Sequence, residues 1–218
     1  EKLKKALNAP IASTATPSTN NREKQRILSG NEPFLIHLGV SDKNGRIHDK
    51  KQAKFRQSNR FLELIRDCLS SLPEEGELRI CDLCCGKSYL SFAVYHYFTR
   101  VLGRRVRMTG VDLKPDVIAY CNEVAKKLGF DGLEFLCGDV GRYDAGEHVH
   151  MVISLHACDI ATDLVLETAV SLGAEVILST PCCHRTLARH IACAPLAFVS
   201  REPQLCQKLS EALTDGLR

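Results

Sequence analysis

Short apolar runs alternate with helical patterns over the last two thirds of the chain. The runs predict five strands, at residues 78–83, 106–112, 133–139, 149–155 and 175–180. Between them, apolar residues recur at spacings of three and four, as they do on one face of a helix. Pro115 and Gly129 delimit one of these helices, with proline at its start and glycine after its end. Apolar strands separated by helices predict a parallel sheet covered on both faces, that is, a doubly wound α/β fold.

The chain ahead of this region has a different pattern. Residues 1–31 include a stretch of Ala, Ser, Thr, Pro and Asn, and we expect a flexible or loosely helical segment with a short helix near residues 22–28. Residues 32–76 form a basic extension with a predicted strand at 34–38, a turn at 42–45 and a long amphipathic helix that ends before Pro73. The α/β domain then covers residues 77–218.

Positive charge is concentrated at the front of the chain. The net charge is +3, but the first 60 residues hold 13 Lys/Arg against 5 Asp/Glu, and the rest hold 16 against 21. Such an imbalance predicts a polyanionic partner such as RNA, with a merely solvated lysine-rich segment as the alternative. The candidate RNA-binding residues begin the long helix: Lys50, Lys51, Lys54, Arg56 and Arg60.

The eleven cysteines indicate a reducing environment. Their number is odd and several lie inside apolar runs, so we expect mostly buried thiols and a cytoplasmic location. Cys81 and Cys84 have a spacing used by zinc sites. Residues three apart in a strand face opposite sides, however, so we predict no metal site. No apolar run reaches the roughly 18 residues that a transmembrane helix needs.

Three successive predicted strands end near a carboxylate, at Asp82, Asp112 and Asp139. Ligands of parallel sheets bind at the carboxyl ends of the strands. The loop after the first strand is neither a Walker loop nor a dinucleotide fingerprint, because Cys84 and Ser88 stand where glycines would be wanted. A cofactor without a pyrophosphate is therefore favoured. A sulfonium nucleoside fits, with carboxylates for its amine, its ribose and its adenine, although Asp112 alone is also typical of a helix N-terminus.

These loops resemble those of class I S-adenosylmethionine-dependent methyltransferases. The similarity extends to a branch of that superfamily that has a GKSYL first loop and a PCC segment followed by Gln or His. A CC-H segment also occurs in a family of tRNA 2′-O-methyltransferases, which is a weaker similarity. The segments that carry it are KFRQSNRF at 54–61, DLCCGKSYLSFAV at 82–94, VDLKPDVI at 111–118, LHACDIATD at 155–163 and TPCCH at 180–184.

The resemblance implies a Rossmann-like sheet that binds S-adenosylmethionine. It assigns the methionine amine to Asp82, close approach of the cofactor to Gly86, the ribose to Asp112 and the adenine to Asp139. The remaining residues expected to bind the cofactor lie in the same loops: Cys84, Ser88, Leu113 and Val140.

The fourth and fifth strand ends supply the candidate catalytic groups. His156 and His184 are candidate bases, and Asp159 is either a base or the cap of the next helix. Cys182 and Cys183 are expected to contact the substrate, with a methyl-accepting thiol or a purely structural turn as alternatives. The motif that amino-methylating enzymes place after the fourth strand is absent, which argues against methylation of an exocyclic adenine amine.

The sequence therefore predicts methyl transfer from S-adenosylmethionine to RNA. A protein or small-molecule acceptor, and a non-catalytic methyltransferase-like module, are the alternatives. The residues after Thr180 are too few for a helix and two further strands of about 5–6 residues each. We accordingly expect a domain that lacks the last two strands of the superfamily, an open edge at the fifth strand, and weak methyl transfer.

Overall fold

A five-stranded parallel sheet forms the centre of the protein. The computed structural model describes residues 26–155, 157–181, 185–191 and 194–218. The strands lie in the order β3-β2-β1-β4-β5 and all their pairings are parallel. Their bounds are Leu78–Leu83 for β1, Val106–Asp112 for β2, Leu133–Cys137 for β3, Met151–Ser154 for β4 and Val176–Ser179 for β5. This topology confirms the predicted doubly wound α/β fold.

Helices connect the strands and continue beyond them. Their bounds are Pro33–His37 for α1, Gln52–Asp67 for α2, Tyr89–His96 for α3, Pro115–Lys127 for α4, Ile160–Ser171 for α5, Arg185–Ala188 for α6, Ala197–Ser200 for α7 and Pro203–Leu217 for α8. A π-helical turn at Tyr97–Val101 extends α3. None of the helices within the described residues has the length and apolar character that crossing a membrane requires.

Two apolar clusters cover the two faces of the sheet, because alternate strand residues point to opposite sides. Ile80 and Met108 belong to the larger cluster, which includes apolar residues of α1 to α4. Cys81 and Leu83 belong to the smaller cluster, which includes residues of α5. Asp82 follows the alternation of Ile80, so its carboxyl group points toward the helices of the larger cluster.

The predicted strand at residues 34–38 is wrong, because this segment forms α1. Pro33 occupies the start of the helix, where its fixed φ is favourable, and Phe34, Leu35 and Leu38 are buried on one side. A short apolar run fits a strand or a buried helical turn equally well. The turn at residues 42–45 is confirmed, with the Asp42 carboxylate accepting the N–H of Asn44 at 2.8 Å.

The front of the described chain packs into the same core as the sheet. Leu28 is fully buried, and its backbone N–H donates to Oδ1 of Asn59 on α2 at 2.9 Å. Residues 26–28 are not helical, although the sequence predicts a helix at 22–28, and residues 1–25 lie outside the description. Phe55 and Ile65 of α2 belong to the larger cluster together with Ile80 of β1. The basic extension is thus built onto the α/β domain.

The sheet ends at β5 in the described part of the chain. There β5 pairs with β4, and no sixth strand follows within residues 185–191 and 194–218. The short apolar run at 196–199 falls largely within the helical turn α7, and the rest of this part of the chain is mainly the helix α8. The expected weakness of methyl transfer stays a prediction.

Candidate active site

The loop after β1 follows a glycine-type backbone path without glycines at two of its positions. Cys84 has φ of 63° and Ser88 has φ of 57°, and Gly86 between them has φ of 52°. Left-handed backbone costs about 1–2 kcal/mol for a residue with a side chain. Cys84 and Ser88 are the two positions at which the resembled loop has glycine. Two residues with side chains therefore adopt a backbone conformation that favours glycine, and this adds strain at the site.

Asp112 fixes this loop against the neighbouring strand end. Its Oδ2 accepts the backbone N–H of Gly86 at 2.9 Å, and its Oδ1 accepts the N–H of Lys114 at 3.1 Å. The bond from Gly86 joins the loop after β1 to the end of β2, and the bond from Lys114 holds the loop after β2 in place. Because each carboxylate oxygen has a second lone pair, Asp112 can still accept hydroxyl donors from a ligand.

Asp82 is a buried carboxyl group with a titration near neutrality. Only 2% of the residue is exposed, and the Ser91 hydroxyl donates to its Oδ2 at 2.5 Å. Burial raises the pKa of Asp82 to about 7, the Ser91 hydrogen bond opposes this shift, and the charge of Asp112 adds to it. A ligand ammonium group would supply the positive charge that favours the ionised form.

The third carboxylate, Asp139, lies at the far side of the same edge. It follows β3, the neighbour of β2, and its side chain accepts the N–H of Gly141 at 3.0 Å. Val140 beside it is buried, whereas Leu113 after β2 is 69% exposed at the strand-end surface. Asp82, Asp112 and Asp139 thus stand at the ends of three adjacent strands, as the sequence predicts.

The thiols beside these carboxylates are held in the neutral form. Burial, followed by the charges of Asp112 and Asp82, raises the pKa of Cys84 to about 11, and burial also raises the pKa of Cys85. A neutral thiol is a weak nucleophile and a poor metal ligand. Neither cysteine has the environment of a thiolate.

One group of three possible metal ligands occurs among the described residues, at the opposite end of the sheet. His148 and His150 precede β4 and Glu175 precedes β5, with their ligand atoms within 4.8 Å of one another. Nδ1 of His150 accepts the backbone N–H of Arg79 at 2.9 Å. Its other ring nitrogen therefore carries the proton of a neutral imidazole and does not offer a lone pair. The arrangement is poorly suited to a metal.

Only part of the predicted catalytic set lies within the described residues. Asp159 occupies the N-cap position of α5 with φ of 49°, and its side chain makes no capping hydrogen bond, so the capping alternative is not adopted. Its backbone carbonyl accepts a bond from Nη2 of Arg218 at 3.0 Å. His156, Cys182, Cys183 and His184 lie outside the described residues, and their roles stay predictions.

The five basic residues at the start of the long helix divide into two groups. Lys50 and Arg56 are exposed, and Arg60, also exposed, pairs with Glu63 at 2.7 Å. Lys51 and Lys54 are partly buried and turn toward the aromatic ring of Tyr89, the first residue of α3. The sequence groups all five as one surface, because their common charge does not show which way each side chain points.

A small cavity separates α2 from the loop after β1. It encloses about 110 Å³. On one side it is lined by the β1 end and the loop, and on the other by Lys54, Gln57 and Ser58 of α2. Tyr89 and Leu155 also line the cavity, and Ser91 bonds Asp82 behind it. The sequence analysis does not assign Tyr89, Leu155 or Ser91 to the site, although all three lie within the segments 82–94 and 155–163 that carry the family resemblance.

Comparisons with known proteins identify the family. Residues 53–190 match the family described as a methyltransferase domain, which covers more than half of the chain. The chain therefore belongs to this methyltransferase domain family. The glutathione S-transferase C-terminal domain-containing proteins of Homo sapiens and Macaca fascicularis are each 23% identical over 155 residues. The match covers 69% of this chain and 22% of each relative, so the chain spans less than a quarter of their length.

Solved methyltransferase structures are also similar. Coclaurine N-methyltransferase, bound to N-methylheliamine and SAH, is 17% identical with a TM-score of 0.39 over 52% of this chain and 32% of that one. Magnesium protoporphyrin IX methyltransferase from Synechocystis PCC 6803, with bound SAM, is 15% identical with a TM-score of 0.40 over 54% of this chain and 53% of that one.

Proposed function

We propose that this protein transfers a methyl group from S-adenosylmethionine to RNA. The observation that carries the proposal is the row of carboxylates at three adjacent strand ends, next to a helix whose exposed face is basic. Membership of the methyltransferase domain family supports the reaction class. The charge of α2 supports a polyanionic acceptor.

The residues of the crevice fit the proposed cofactor. Asp82 accepts the methionine amine, and the free lone pairs of Asp112 accept the ribose hydroxyls. Exposed Leu113 and buried Val140 offer an apolar contact to the adenine, while Asp139 accepts its amine. S-adenosylmethionine supplies an activated methyl group for in-line displacement. The chain's own contribution is to orient the donor and acceptor, which accounts for much of the rate enhancement in such reactions.

The basic residues in the first half of α2 and just ahead of it support RNA as the acceptor. Lys50, Arg56 and Arg60 are exposed, so they are available to phosphates beside the cofactor loop. Each phosphate contact releases counterions and makes binding weaker as the salt concentration rises. Nothing comparable is expected for a small neutral acceptor.

Labelled-methyl transfer to total RNA and to total protein tests the proposal. We expect the labelled methyl group in RNA. Changing Lys50, Arg56 and Arg60 together to Glu should abolish this labelling and reduce the dependence of RNA binding on salt concentration. The matched control changes three exposed cations elsewhere, Arg105, Lys126 and Lys208, to Glu. Label in protein alone would reject the RNA acceptor and favour the alternative acceptor class.

A donor titration tests the cofactor separately. Asp112→Ala removes the carboxylate assigned to the ribose and should weaken binding of S-adenosylmethionine in calorimetry. Unchanged affinity in this variant would reject the ribose assignment. If the unaltered protein bound no donor, the non-catalytic alternative would replace the enzymatic proposal.

A further inference from the structure

Two lysines, Lys54 of α2 and Lys51 just ahead of α2, contact Tyr89 at the start of α3 and are not part of the open basic surface. The Lys54 ammonium nitrogen lies 4.9 Å from the centre of the Tyr89 ring. The Lys51 nitrogen lies 5.3 Å from the same ring and donates to the Tyr89 hydroxyl at 3.2 Å. The cation–π contact of Lys54 attracts its ammonium group to the ring face without occupying its hydrogen-bond donors. The ring thereby positions Lys54 at the cavity.

The cavity is lined by charges of both signs. Asp82 stands at the β1 end, exposed Lys87 lies in the loop after β1, and partly buried Lys54 stands on the α2 side. Leu155 and Leu90 supply apolar lining between them. Charged groups are costly to hold in partly apolar surroundings unless they have partners. A ligand that carries one positive and one negative group on neighbouring atoms would satisfy both sides at once.

We infer that Lys54 binds the carboxylate of the cofactor's methionine moiety, opposite the amine at Asp82. The inference rests on the proposed use of S-adenosylmethionine and deepens it. The amine and carboxylate of an α-amino acid are attached to one carbon, so a site that fixes the amine at Asp82 directs the carboxylate elsewhere. The α2 side of the cavity, with Lys54, Gln57 and Ser58, carries the complementary charge and hydrogen-bonding groups.

The inference changes the part assigned to α2. Lys54 becomes a cofactor-binding residue, and Lys51 becomes a positioning residue that acts through Tyr89. The exposed cations Lys50 and Arg56 remain available to the acceptor. One helix then contacts the donor with its inner side and the acceptor with its outer side.

Calorimetry with two ligands tests this inference without any acceptor. Lys54→Met removes the ammonium group and keeps most of the length of the side chain. Loss of a charge-assisted hydrogen bond should weaken S-adenosylmethionine binding by about tenfold to a hundredfold. Decarboxylated S-adenosylmethionine lacks only the carboxylate, and its affinity should be nearly the same for the variant and the unaltered protein. Lys54→Arg should restore most of the difference between the two ligands.

Matched controls distinguish a direct contact between Lys54 and the carboxylate from an indirect effect on the loop. Lys126→Met makes the same change of charge on α4 and should leave both affinities unchanged. Equal weakening of both ligands by Lys54→Met would mean that Lys54 only supports the loop, and would overturn the inference. If Lys54→Met bound S-adenosylmethionine with unchanged affinity, the inference would also be overturned. The carboxylate would then be assigned to backbone N–H groups at the start of α3. Failure of the unaltered protein to bind either ligand would instead refute the cofactor proposal itself.

Discussion

Binding of the methyl donor should depend on pH through Asp82. The pKa of this buried carboxyl group is about 7, and the proposed contact with the donor's ammonium group requires the ionised form. With that pKa, about half of the sites are ionised near pH 7 and about one in eleven near pH 6. The dissociation constant should therefore rise about fivefold between these pH values, and about tenfold for each further unit. The donor's amine, an α-amino group, stays protonated throughout this window.

Calorimetry in buffers of different ionisation enthalpy measures this directly. Near pH 6 most protein molecules carry a protonated Asp82, so binding should release close to one proton. Asp82→Asn keeps an oxygen that can accept the Ser91 hydroxyl but removes the charge. We expect this variant to bind weakly, with an affinity that does not change with pH and with no proton release.

A change at Ser91 tests the cause of the titration. The Ser91 hydroxyl lowers the pKa of Asp82 by its hydrogen bond, so Ser91→Ala should move the midpoint of the binding profile to higher pH. Ser58→Ala alters another serine near the cavity and should leave the midpoint in place. An affinity that is constant across this range in the unaltered protein, or an equal slope in Asp82→Asn, would refute the reasoning.

The stability of the folded protein should also depend on pH through Asp82. The pKa of Asp82 is raised from 3.8 to about 7 in the folded protein, so folding takes up a proton between these values. The contribution of Asp82 to stability is therefore greatest at low pH and is lost as pH rises through about 7. As pH increases toward 7, the melting temperature of the unaltered protein should therefore fall relative to that of Asp82→Asn.

Three other changes test the packing. Cys84→Gly places glycine at a left-handed position and should raise the free energy of unfolding in urea by about 1 kcal/mol. A lower free energy of unfolding would show that the Cys84 side chain contributes more stability than the backbone strain costs. Asn59→Ala leaves the Leu28 N–H without its partner and should lower stability by about 1–3 kcal/mol, with faster proteolysis ahead of residue 31. Gly110→Ala would place a methyl group closer to the Phe135 ring than van der Waals contact permits, so it should lower the melting temperature, and Phe135→Leu should recover part of the loss.

The strands could be predicted because buried parallel strands leave a strong signal. The bounds predicted for β1 and β2 agree with the structure, since most residues of each strand are buried and their apolar side chains pack on both faces of the sheet. The sequence also locates the carboxylates, because topology alone brings adjacent strand ends together. At α1 the same reasoning failed, because a segment of only five residues is too short for its apolar positions to distinguish a helix from a strand.

The inner side of the site was harder to predict. Charge and spacing placed Lys51 and Lys54 in the same group as Lys50, but their direction depends on Tyr89, which is far away in sequence. The burial of Leu28 has the same origin, since its partner Asn59 is on another element. Long-range pairs between single residues leave no periodic pattern, so they become visible only in three dimensions.

The burial of α3 has a consequence for how the protein can be divided. Its residues from Leu90 to Tyr95 are all buried, so this helix lies in the interior of the protein and is covered on the side that faces away from the sheet. Part of that cover comes from α1 and α2, where Phe34 packs 5.4 Å from the His96 ring. A polypeptide cut at residue 76 would expose an apolar helix and should aggregate. The smallest portion suitable for expression must therefore begin ahead of Leu28.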